Sequence, residues 1–268
     1  MGLPSISSSF VSARHNVWRG DELGVADLPV LGTGHAVLDA ELPGGGWPVG
    51  AMTELLQARP EAHVWALLLP ALARAVAERG GPVMLIGAPY EPFGPALAAG
   101  GLPSAALMWV RGQSSAECTW ACEQALRCAD VAAVLAWLPQ ARASELRRLQ
   151  LAAAQHEGLL FVMRPEAVAQ SASPARLRLQ LGSAEDGRME VHLLKRRGPP
   201  LAQPLSLPAR NARLAALLAA SLRRRQGADR AKVEVDIPAA KGATVVRLDL
   251  RRRREEGSHA VDRLALVG

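Results

Sequence analysis

Apolar runs bounded by turn residues recur along the chain, and segments with helical spacing lie between them. PVMLIGA (82–88) and DVAAVLAWL (130–138) are near-continuous apolar runs, the pattern of strands buried on both faces of a parallel sheet. Shorter runs at 51–56, 106–111 (ALMWVR) and 159–164 (LLFVMR) predict further strands. Between the runs at 51–56 and 82–88, Val64, Leu67, Leu68, Ala71, Leu72 and Val76 keep helical spacing over 61–79. Pro70 is expected to kink or break that helix, and Gly80-Gly81 to end it. A short helix follows at 95–99, with Pro95 suited to its first position. Ser114 or Ser115 caps the next, which runs to about residue 129 with Glu117 in its first turn. The segment 143–155 is an amphipathic helix with Arg142, Arg147 and Arg148 on its exposed side. The period then changes. Residues 176–181 and 189–195 alternate apolar and polar, as one-sided strands do, and 205–207 adds an edge segment. Repeated βα units followed by a strand pair imply an α/β fold, a mostly parallel central sheet flanked by helices with antiparallel strands at one edge.

Three segments emerge. Residues 1–31 form an arm with Trp18 as a packing anchor, 32–209 form the core, and 210–268 form a basic tail. Charge sets the tail apart, because it holds 14 Lys+Arg against 7 Asp+Glu while residues 1–209 hold 17 against 18. The tail offers one Ala/Leu helix ending in Arg223, Arg224 and Arg225, then two β-like segments, then the run Arg251, Arg252, Arg253 and Arg254. Its apolar content is thin for independent folding. No stretch is long and apolar enough to suggest a membrane span, and the first residues lack the pattern of a signal peptide, so a cytoplasmic protein is expected. Cys118, Cys122 and Cys128 cluster on one predicted helix. An odd cluster of this kind is no disulfide framework, and neither a CxxC pair nor a spaced histidine pair accompanies it. Reduced, half-buried thiols are expected, with no metal.

The stretch TGHAVLDAELPGGGWPVGAMTEL (33–55) reads as a turn, a short helix over 36–42, a triple glycine, a Pro48/Gly50 turn and a strand. In this arrangement it resembles the entry to a RecA-like recombinase core, and the resemblance covers about residues 30–208. In such cores the strand runs into a phosphate-binding loop. Here the matching residues are Gln57, Ala58, Arg59, Pro60, Glu61, Ala62, His63 and Val64. Such a loop needs glycines to wrap phosphates, a lysine for the outer ones and a hydroxyl for magnesium. None is present. His63 stands at the lysine's place and Val64 at the hydroxyl's, and a neutral imidazole does not replace a permanent ammonium. Lined up with active relatives, Pro89 replaces the glutamate that activates water, and Leu135 replaces the aspartate that holds magnesium. The expectation is a kept scaffold without an ATP site, no cofactor and no catalysis.

VWRGDELG (17–24), the 33–55 stretch, LLLPALARA (67–75), VLAWLP (134–139) and LLKRRGPP (193–200) together resemble the ImuA family of bacterial SOS mutagenesis accessory proteins, itself related to the cell-division inhibitor SulA. The resemblance implies a nucleoid-associated adaptor in error-prone translesion synthesis. Its implied partners are an ImuB-like polymerase relative, indirectly an error-prone replicative-type polymerase subunit, and RecA. The two connections that grip DNA in RecA correspond to 139–142 and 165–175. Both are short and lack a basic-aromatic cluster. DNA contact is therefore expected only from the tail, where Arg247 and Arg251 to Arg254 can neutralise phosphates. Two other readings remain open. One is a SulA-type division inhibitor. The other is a divergent ATPase holding phosphates through Arg59, His63 or a partner's Lys195.

Overall fold

The computed structural model describes residues 28–60, 63–184 and 188–209, with Ala220 and Arg223 as further helical positions. The chain divides into two compact units, Met1–Ala220 and Ser221–Gly268; the architecture below belongs to the first. Two short strands, β1 (Val30–Leu31) and β2 (Trp47–Pro48), form an antiparallel pair, enclosing the short helix α1 (Ala36–Asp39). The main sheet contains β3 (Met52–Gln57), β4 (Val83–Ile86), β5 (Leu107–Val110), β6 (Ala133–Trp137), β7 (Leu159–Pro165), β8 (Leu177–Ser183), β9 (Met189–Lys195) and β10 (Leu205–Leu207). Its order is β10-β9-β8-β3-β7-β6-β4-β5. The six strands from β8 to β5 run parallel, and β9 and β10 add the antiparallel edge.

Helices α2 (Val64–Arg79), α3 (Gly94–Ala99), α4 (Ser115–Arg127) and α5 (Ala143–Ala153) cover the two faces. The strand period of two sorts the side chains. Leu55, Leu85, Leu135, Phe161 and Leu179 pack with α2, while Val134, Ala136, Leu160 and Val162 pack with Cys122 of α4 and Leu149 of α5. All six β3 residues are buried, as its position between β7 and β8 requires. Seven residues of α2 are buried, four of them leucines, and each such leucine contributes about 2 kcal/mol.

The helix continues through Pro70, so the expected break does not occur. Gly34 explains how the ring is accommodated: its φ is +83°, and a Cβ there would collide with Pro70. The turn before α1 is held by its own side chains. Asp39 Oδ1 accepts from the Thr33 amide at 2.8 Å, and His35 Nε2 lies 3.2 Å from the Leu67 carbonyl of α2. Thus the sequence TGHAVLD docks the entry segment onto the helix that follows the central strand. Nearby, Trp47 is fully buried and meets Phe161 edge-on at 5.3 Å.

The connection from β7 to β8 crosses the sheet without an α-helix. A 3-10 turn (Glu166–Val168) is its regular part, so its carbonyls need donors from elsewhere. Arg178 supplies them, donating to the Val168, Ala169 and Ser171 carbonyls at 3.0–3.1 Å. Its Nε donates to Glu54 Oε2 at 2.5 Å. Arg164 Nη1 donates to Glu54 Oε1 at 3.0 Å, and Nη2 to the Ala141 carbonyl at 3.0 Å. One buried carboxylate in the central strand thereby anchors the loops that follow β6 and β7.

Candidate functional site

A cleft of about 260 Å³ opens where the C-terminal ends of β3, β4, β6 and β7 meet. This is the position in a parallel sheet where ligands generally bind. Its chemistry is unusual for that position. Pro60, Pro89, Pro139 and Pro165 line it, together with Ala58, Met163 and Trp137. Prolines carry no N–H, so much of this wall has no backbone donor to offer a phosphate. Gln57 and Arg164 are its polar members. The Arg164 guanidinium is already engaged by Glu54 and Ala141. Trp137 Nε1 donates to the Pro60 carbonyl at 3.4 Å, a long bond that ties the loop after β3 to the end of β6.

The residues of the loop are dispersed. Gln57 is buried at the end of β3, and Ala58, Arg59 and Pro60 are exposed. Glu61 and Ala62 lie outside the described residues. His63 caps α2 in a left-handed conformation, φ 63°, without a side-chain cap bond. Its Nε2 lies 2.6 Å from Ser183 Oγ at the end of β8. Burial lowers the His63 pKa, so the imidazole is neutral at pH 7 and supplies no cation where a lysine is required. Val64 is buried as the first residue of α2.

The two other aligned positions are equally apolar. Pro89 lies on the cleft wall, and Leu135 is fully buried in the core beneath α2. Glu91 lines an adjoining depression of about 210 Å³ with Trp65, Tyr90 and Phe93. Among the described residues, no group of three or more His, Cys, Asp or Glu could hold a metal ion. In the segments 139–142 and 165–175, the Ala141 carbonyl accepts from Arg164, the Val168, Ala169 and Ser171 carbonyls from Arg178, and the Ser173 carbonyl from Lys195. Of the tail arginines, Arg223 is helical and exposed, whereas Arg224, Arg225, Arg247, Arg251, Arg252, Arg253 and Arg254 lie outside the described residues, as does Trp18.

Reading the sequence alone missed the Glu54–Arg164–Arg178 cluster. Its signal was one acid inside an otherwise uncharged strand, MTELLQ, and an arginine closing LLFVMR. Also missed was Trp137 as a cleft wall. The cysteines sit on α4 as expected, with Cys118 and Cys122 buried; Cys128 is exposed just past the helix end. Among the described residues no helix is long and apolar enough to cross a membrane.

No protein-family model matches the chain. Among curated proteins it is similar to Protein ImuA from two strains of Caulobacter vibrioides, NA1000 / CB15N and ATCC 19089 / CIP 103742 / CB 15. To each it is 34% identical over 172 residues, covering 61% of this chain and 68% of that protein. It is also 35% identical over 121 residues to Cell division inhibitor SulA from Edwardsiella piscicida, covering 44% of this chain and 72% of that protein.

Proposed function

The chain belongs to the ImuA family, with SulA among its relatives, and from that membership we propose that it is a non-catalytic adaptor in SOS-induced, error-prone copying of damaged DNA. The observation that carries the non-catalytic part is the proline-lined cleft at the strand ends. A site there would have to bind phosphates with few backbone donors, a neutral His63 and an arginine already paired to Glu54. Its partners in this reading are an ImuB-like polymerase relative and RecA. An error-prone replicative-type polymerase subunit joins through the former. The protein acts in the cytoplasm at the nucleoid, and DNA contact is confined to the arginine-rich tail.

Two measurements test this reading. Purified protein titrated with a fluorescent ATP analogue and magnesium is expected to show no saturable binding up to millimolar concentration. Micromolar binding, with ATP hydrolysis abolished by changes in residues 57–60, would establish a divergent ATPase instead. In the source organism, a deletion strain is expected to lose damage-induced mutagenesis and regain it when the gene is returned. The SulA relationship favours a second reading, a division inhibitor. Filamentation on overexpression together with unchanged mutagenesis in the deletion strain would select it.

A further inference from the structure

The end of the sheet opposite the cleft carries a concentration of positive charge. There the start of β8 lies beside the end of β9, with Arg178 paired to Lys195. Arg176, Arg196 and Arg197 follow closely and border a depression of about 60 Å³. Its wall is apolar, built from Val30 and Pro48 of the small strand pair, with Leu28, Pro43 and Leu177.

Carboxylates meet some of these charges. Arg196 reaches both the carbonyl and the carboxylate of Glu41, the latter at 2.9 Å. Glu54 is shared between Arg164 and Arg178. Lys195 is exposed, and its Nζ donates to the Ser173 carbonyl at 2.9 Å, which is a dipole and no counter-charge. Desolvation and the repulsion of Arg178 and Arg176 lower the Lys195 pKa, against the opposing pull of Glu54. A carboxylate brought to Arg176 and Lys195 would relieve that crowding.

We propose that this depression docks an acidic peptide segment of another protein, with one apolar side chain seated against Val30, Pro48 and Leu177, a carboxylate on Arg176 at its border, and another on Lys195, which lies outside the lining but next in the chain to the bordering Arg196. The apolar wall favours a peptide over nucleic acid. Among the described residues no aromatic ring lines the depression to stack a base. Rim charges would set encounter rate and register, and the anchor would set residence time. The inference stands on charge and shape, independently of the mutagenesis reading.

The test is fluorescence polarisation with the full chain and four labelled probes. The first is a short peptide with two adjacent leucines among aspartates and glutamates. In the second, serines replace the leucines. In the third, glutamines and asparagines replace the acids. The fourth is single-stranded oligothymidylate. The first probe is expected to bind, and the second and third at least about tenfold more weakly. Arg176→Glu and Lys195→Gln are each expected to weaken the first probe by about tenfold. Both side chains are exposed, so the thermal transition should stay in place, and the glutamine retains a donor for Ser173. Failure of the first probe to bind at millimolar concentration, equal binding of the serine probe, or indifference to both substitutions overturns the proposal. So does preferential oligothymidylate binding that Arg176→Glu abolishes, which would make the surface a nucleic-acid site.

Discussion

Glu54 sits fully buried in a strand with no exposed residue, and two guanidiniums converge on it. Removing the carboxylate leaves two buried cations unmatched, so Glu54→Leu is expected to cost about 3–5 kcal/mol in urea unfolding. Replacing all three members by apolar residues will not restore stability fully. Three crossover carbonyls depend on Arg178 as donor, and Arg178→Met alone strands them. Gly34→Ala is expected to lose about 1–3 kcal/mol, because the left-handed φ and the clash with Pro70 add together. His156 gives a pH signature. Only 4% of it is exposed, and desolvation, then the Arg79 charge, lower its pKa despite Glu157. The unfolded imidazole takes up a proton near pH 6.5 while the folded one stays neutral. Stability therefore falls as pH drops from about 6.5 toward the folded pKa, and the term is absent above that range. The urea midpoint should decline between pH 7.5 and 5.5 in the natural protein, and less steeply in His156→Asn.

At the scale of elements, the central strands were legible because burial on both faces leaves continuous apolar runs, as in AVLAW of β6. The alternating β8 and β9 were legible for the complementary reason, one face half-buried. The β1–β2 pair was not, since two residues per strand carry no periodicity. The crossover after β7 read as an ordinary polar loop because its order comes from Arg178, whose carbonyl partners lie 7 to 10 residues earlier in the chain and leave no periodic signal. The proline-rich cleft was half legible: the missing lysine and glycines could be read directly, whereas the approach of Trp137 to Pro60 required the sheet order. Helix α4 offers a simple check. Burial pushes the Cys122 thiol up to about 12, with Cys118 and Glu123 adding to the shift, and Cys118 is also buried. A thiol reagent at pH 8 should modify Cys128 rapidly and the other two only on unfolding.

Across the whole molecule, the described fold has a mostly parallel eight-stranded sheet, a helix after the central strand and a crevice at the strand ends, and the chemistry of that crevice is proline and tryptophan. The positively rimmed depression lies at the other end, beside β8 and β9. The sheet order also bears on biosynthesis. β3 is made early, yet both its neighbours, β7 and β8, lie about a hundred residues later in the chain. At ordinary translation rates that interval lasts on the order of 5–20 seconds. Throughout it, an apolar strand with two unpaired edges and a lone acid stands outside the ribosome without partners. The nascent chain should therefore be a substrate for ribosome-associated chaperones. A ribosome stalled before β8 emerges should present β3 to protease, and one stalled after β9 has cleared the exit tunnel should not.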